Sequence, residues 1–143
     1  MARISIDDAV LDISGGEPRL LGSRCRACGT HTFPVQSGCV RCSGDDMETV
    51  RLGTRGELWA WTVQAFPPKA PPYLGDTNRE TFEPYGVGYV QLPEVRVEAH
   101  LTEARPEHLK TGMAMELALV PLATDDDGNE IVTFAFAPSG GAT

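Results

Sequence analysis

The residues of this chain best suited to chemistry lie close together. Cys25-x2-Cys28 is followed, after ten intervening residues, by Cys39-x2-Cys42, and these four are all the cysteines the chain has. A two-residue gap lets one tight turn present both sulfurs to a single ion, with backbone N–H groups pointing at the thiolates. Gly29, directly after Cys28, supplies the positive φ that such a turn needs. Two such turns bring four sulfurs to the corners of a tetrahedron, which Zn²⁺ accepts at about 2.3 Å per bond. The same thiolates also accept iron, as in a rubredoxin-type site, although a ribbon this short more often holds zinc. With four thiolates bound, the metal keeps no open position for a water, so the predicted role is structural.

Other uses of these cysteines fit less well. A disulfide framework suits a secreted chain, and the N-terminus, Met-Ala-Arg-Ile-Ser-Ile-Asp-Asp, has no apolar stretch typical of a secretory signal. A thioredoxin-like pair needs one Cys-x2-Cys opening a helix after a strand, not two flanking a hairpin. His31 lies inside the ten-residue insert, but four cysteines already complete a shell, so it reads as a surface or packing residue. His100 and His108 have no nucleophile or carboxylate set near them in sequence that would make a triad, and both read as surface.

The totals narrow the class of function. The chain has 143 residues, 41% hydrophobic and 22% charged, which suits a globular protein of one or two small modules. No apolar run approaches the roughly 20 residues that span a bilayer, and the expected location is the cytoplasm. The formal net charge of −8 repels phosphate backbones at long range. Arg24, Arg26 and Arg41 form a local basic cluster around the cysteines, and Asp125-Asp126-Asp127 a local acidic one. Both read as solvated surface.

The elements that must position the cysteines are short. Ile6 to Leu11 has the composition of a brief helix stopped by Ser14-Gly15-Gly16, and Arg19 to Arg24 reads as a strand entering the first turn. Pro34 and Gly38 break the insert into a hairpin, and Met47 to Leu52 reads as an exit strand. From Gly56 onward the pattern is β. Glu57–Val63, Gly86–Leu92, Val95–Leu101, Met113–Leu122 and Ile131–Ala137 are five strand candidates, and Val95–Leu101 alternates with a clean period of two. Pro106 to Lys110 makes about one helical turn between the third and fourth. That order predicts an OB-fold, a small Greek-key barrel. The chain therefore reads as mainly β: an N-terminal segment over 1–24, a rubredoxin-like zinc ribbon over 25–52, and a five-stranded OB-fold domain over 53–143.

The connection at 64–85 is longer than such a barrel needs. It carries Pro67, Pro68, Pro71, Pro72 and Pro84, punctuated by Phe66, Tyr73, Phe82 and Tyr85. Loops this long are usually functional or disordered, so it is either a tether or a loop that docks a partner or covers a ligand. Trp59 and Trp61, two apart on the first barrel strand, share one face of a regular strand. They read either as barrel core or the seam with the ribbon, or as interface anchors.

In this register the residues resemble a known family. Leu21-Gly22-Ser23-Arg24-Cys25, Cys28-Gly29, Phe33-Pro34, Cys39-x2-Cys42, Gly56-Glu57-Leu58 with Thr62-Val63, and Gly112 to Leu117 look like the DUF35 family over about residues 17–137. The resemblance implies a zinc ribbon joined to an OB-fold, and a role beside a thiolase-fold enzyme that acts on acyl-CoA. Phe82 to Val90 with Leu92-Pro93-Glu94 looks closest to the branch whose partners are lipid-transfer-type thiolase homologues in steroid side-chain degradation. That branch implies a retro-aldolase complex. Only the four cysteines carry over residue by residue, as ligands of a structural zinc. No catalytic residue does, because in such complexes the chemistry belongs to the partner. The implied function is a non-catalytic accessory subunit of a hetero-oligomer, stabilising its enzyme and helping to form the acyl-CoA site. Trp59, Trp61, Phe66, Tyr73, Phe82 and Tyr85 are the weaker candidates for that interface. A nucleic-acid-binding module is the alternative, since ribbons and OB-folds both serve that role. The net charge argues against it, as does having Tyr89 as the sole aromatic on the second and third barrel strands. No membrane association is expected.

Overall fold

Branched and aromatic residues at alternating positions dictate strands here, and a computed structural model describes them over residues 3–14, 16–65 and 81–139. The strands are β1 (Arg3–Ser5), β2 (Leu11–Asp12), β3 (Arg19–Cys25), β4 (His31–Thr32), β5 (Met47–Arg51), β6 (Arg55–Gln64), β7 (Tyr85–Gln91), β8 (Arg96–Leu101), β9 (Ala114–Thr124) and β10 (Glu130–Pro138). One 3₁₀ turn, Pro106–His108, stands between β8 and β9 with its proline at the permissive first turn.

The last five strands close on themselves. β6, β7 and β8 form an antiparallel meander, β6 also pairs with β9, β9 pairs with β10, and β10 meets β8 in parallel at Phe136–Leu101. This is the five-stranded closed barrel of an OB-fold, and closure removes the edges that would template other chains. All five barrel strands lie where the sequence pattern puts them. Between β9 and β10, Gly128 takes the left-handed φ of 82° that the Asp-Gly turn requires.

The remaining strands build the ribbon, except for β1. β3 pairs with β2 at one end, with β4 across the cysteine turn, and with β5 along Leu21–Cys25. β1 instead runs parallel to β10, Arg3 to Ser5 against Glu130 to Val132. The helix expected over Ile6 to Leu11 does not form. Asp7 O accepts from both Val10 N and Leu11 N, closing a single turn, and Leu11 then enters β2 fully buried. Burying Leu11 against β3 outweighs extending one isolated turn, which is marginal alone.

Ribbon and barrel share one core. Leu11, Leu20 and Leu52 from the ribbon side pack in the same cluster as Leu58, Val90, Val97, Met115 and Phe136 of the barrel. Leu52 is the pivot: it is fully buried, its N–H donates to Leu20 O, and it opens the short link between β5 and β6. Phe33 of the ribbon insert meets Phe134 of β10 edge to face at 5.9 Å.

Candidate metal centre

Each cysteine pair sits on a turn fixed by main-chain hydrogen bonds. In the first, Gly29 N donates to Cys25 O (2.8 Å) and Cys25 N to Thr30 O (2.9 Å), with Gly29 at φ 80°. In the second, Ser43 N donates to Cys39 O (3.0 Å) and Cys39 N to Gly44 O (2.8 Å). The two turns face one another across the β3–β4 and β3–β5 pairings. Ser23 secures the insert between them: its buried hydroxyl accepts from Gln36 N (2.7 Å) and donates to Gln36 O (3.2 Å).

The four sulfurs converge. All lie within 4.8 Å of one another, with Cys25 to Cys42 at 3.6 Å and Cys28 to Cys39 at 3.5 Å. A tetrahedron with bonds of about 2.3 Å has edges of about 3.8 Å, so the donor set fits one tetrahedral ion. The charge distribution asks for it too. Cys28 is drawn down to about 6, first by the hydroxyl of Thr30, then by the Thr30 backbone and Cys39. Cys39 is held below an ordinary thiol by the N–H groups of Cys42 and Arg41, each 3.4 Å from its sulfur. Cys42 is favoured as a thiolate by the Gly44 N–H, but the three neighbouring sulfurs outweigh it and push the group up to about 11. Four thiolates repel one another unless a cation neutralises them. Zinc held by Cys25, Cys28, Cys39 and Cys42 supplies that charge and cross-links the two turns.

Two arginines of the basic cluster, Arg24 and Arg26, are paired with acids. The β3–β5 register sets Arg24 opposite Glu48, and Arg24 Nη1 reaches that carboxylate at 3.0 Å while Arg26 Nη1 reaches Asp46 at 2.8 Å. Sequence reading missed these acids because they lie some twenty residues away along the chain.

Two other expectations change. Trp59 and Trp61 do not share a face. A bulge between Leu58 and Ala60 turns Trp59 outward, 51% exposed, and Trp61 inward against the core. His100 is half-buried instead of surface: it stacks on Tyr85 at 4.3 Å, and burial lowers its pKa. His31 is half-buried on β4, and His108 is exposed with Nδ1 3.1 Å from Glu103. Phe82 lies against Tyr85 at 5.9 Å. Phe66 and Tyr73 fall outside the described residues.

Ribbon and barrel in this order, with a closed thiolate site and a common core, define a class: a small zinc-ribbon/OB-fold protein. Family models place the chain within it. The ChsH2 rubredoxin-like zinc ribbon domain matches residues 14–48, and the ChsH2 C-terminal OB-fold domain matches residues 49–120. The chain belongs to the ChsH2-type DUF35 family. It is 32% identical to the benzoylsuccinyl-CoA thiolase subunit BbsA of Thauera aromatica, over 85% of this chain and 78% of that one. It is 30% identical to a DUF35 domain-containing scaffold protein of Pyrococcus furiosus, over 84% and 83%. Among solved structures it is similar to the Ltp2-ChsH2(DUF35) aldolase, with a TM-score of 0.61 and 28% identity over 85% of this chain and 86% of that one. Among the described residues, no helix is long and apolar enough to cross a membrane.

Proposed function

We propose that this chain is a non-catalytic accessory subunit of a thiolase-like acyl-CoA enzyme in the cytoplasm, where it stabilises that enzyme and helps form its acyl-CoA site. One observation carries the reading. The ribbon-plus-barrel unit matches, over more than three quarters of its length, a protein named as a thiolase subunit. The likeness therefore covers both the ribbon and the barrel, and most of that subunit's length. The site supports the same reading: the four cysteines are drawn into one metal cluster, and a closed tetrathiolate shell leaves the ion no position for substrate.

Thiolases and aldolases both work on carbon–carbon bonds, so the reaction we assign to the complex is carbon–carbon bond chemistry on a β-oxygenated acyl-CoA. Its finer form is retro-aldol cleavage of a steroid side-chain thioester. This chain contributes binding surface and exclusion of water, which position a thioester without adding a reacting group. The test is co-expression with each thiolase-fold protein encoded in the same genome, followed by size-exclusion chromatography with light scattering. A complex of defined stoichiometry with one of them is expected. Elution of this chain as a separate species in every case would remove the accessory reading.

A further inference from the structure

The outer face of the β6–β7–β8 meander is paved with aromatic side chains. The register sets Gln91 between Glu57 and Arg96, Tyr89 between Ala60 and Glu98, and Val87 between Thr62 and His100, with Tyr85 opposite Gln64. The bulge at Leu58/Ala60 adds Trp59 to this face. Its ring meets Tyr89 edge to face at 6.0 Å, and the Arg96 guanidinium sits 3.7 Å above it. Further along, His100 stacks on Tyr85, which Phe82 flanks, beside a groove of about 390 Å³. Trp59 is 51% and Tyr89 41% exposed.

We propose that this face is the docking surface for the thiolase-fold subunit, with Trp59, Tyr89 and Arg96 as its anchors. The inference rests on the accessory reading above and names the surface that reading requires. Tryptophan, tyrosine and arginine are the residue types that dominate binding energy at protein interfaces. Neighbours brace these three: each stands on a different strand of a closed barrel, the Trp59 and Tyr89 rings meet, and Arg96 Nε donates to Gln91 Oε1 at 3.2 Å. Little side-chain freedom is then left to lose on binding. The bulge is the device that aims Trp59, since a regular strand would direct Trp59 and Trp61 alike.

Charge selects the kind of occupant. Exposed Glu57 and Glu98 flank the aromatic rings, Arg96 is engaged by Trp59 and Gln91, and Arg55 stands opposite Glu116. Such a mixed rim lacks the excess of basic side chains that a phosphate backbone needs. It fits a protein surface with apolar sockets bordered by lysine or arginine.

The test measures the dissociation constant of the complex by calorimetry, using the thiolase-fold proteins of the same genome as probes. Trp59→Ala should weaken binding by about 30-fold or more, and Tyr89→Ala by about 10-fold. Ile6→Ser, at an exposed apolar residue next to β1, should bind as the wild type does. Zinc content should stay unchanged and the melting temperature should fall by only a few degrees, because Trp59 and Tyr89 lie off the core and lose only their contacts with each other and with Arg96. Wild-type affinity in Trp59→Ala and Tyr89→Ala would overturn the surface and leave the accessory reading standing. Failure of the wild type to bind any of the probes would overturn both. Binding of a thymidine oligonucleotide, or self-association in sedimentation, would overturn the assigned occupant if Trp59→Ala abolishes it.

Discussion

Gly22→Ala should destabilise the whole chain, and it probes the link between metal site and barrel. A Cβ at Gly22 would stand 2.5 Å from Thr32 O and 3.1 and 3.3 Å from the two methyls of Leu52. The first contact is with backbone, which has no rotamer to change. Relief requires β3 to move away from β4, the pairing that carries Ser23–Thr32 and Arg24–His31 up to Cys25. The second is with the pivot of the shared core. Overpacking of this kind costs about 1–3 kcal/mol. With an unfolding entropy near 2.1 cal/mol/K per residue, about 2 kcal/mol lowers the melting temperature of a 143-residue chain by about 7 °C. Gly29→Ala is the control. It meets nothing within 4 Å but forces alanine to φ 80°, so its cost is conformational, about 1 kcal/mol. It also lies on the first cysteine turn. Calorimetry should show the larger shift for Gly22→Ala, while Gly29→Ala mainly speeds zinc release to a chelator. A Gly22→Ala protein melting with the wild type, zinc retained, would refute the shared-core reasoning.

Four further outcomes follow from the same geometry. Elemental analysis should find one zinc per chain, and Cys39→Ser should lose it and with it the ordered ribbon, since metal binding and folding are coupled in so small a module. Leu52→Ala should cost about 2–5 kcal/mol and lower ribbon and barrel stability together, read as coincident transitions by near-ultraviolet dichroism and zinc release. Ser23→Ala removes the hydroxyl that bonds the Gln36 N–H and C=O; about 0.5–1.5 kcal/mol should appear in denaturant unfolding. Glu103 is held below the usual carboxylate range, first by the Arg105 side chain, then by the Arg105 N–H and His108. A depressed carboxylate stabilises above its unfolded value and loses that contribution as pH falls, so Glu103→Gln should be destabilised at neutral pH but converge on the wild type in strong acid, as read by thermal melts across pH.

Much of this was legible in sequence because it rests on local spacing. The Cys-x2-Cys pairs specify their own turns, and period-two runs such as Val95–Leu101 specify strands wherever one face is buried. What sequence did not show is long-range. The bulge that separates Trp59 from Trp61 depends on the pairing of β6 with β7, not on either residue type. Glu48 and Asp46 neutralise Arg24 and Arg26 only once β3 pairs with β5. β1 is not legible in the sequence because three residues, Arg3 to Ser5, give no periodic signal, and their strand exists by pairing with Glu130–Val132. The helical composition of Ile6 to Leu11 says nothing of the burial that awaits Leu11 in β2.

Steady-state turnover of an acyl-CoA substrate tests the accessory role most directly, with this chain, its thiolase-fold partner, and the two mixed assayed side by side. The account predicts no turnover by this chain alone, little or none by the partner alone, and cleavage when both are present. Turnover by this chain alone, or full activity of the partner without it, would contradict the account.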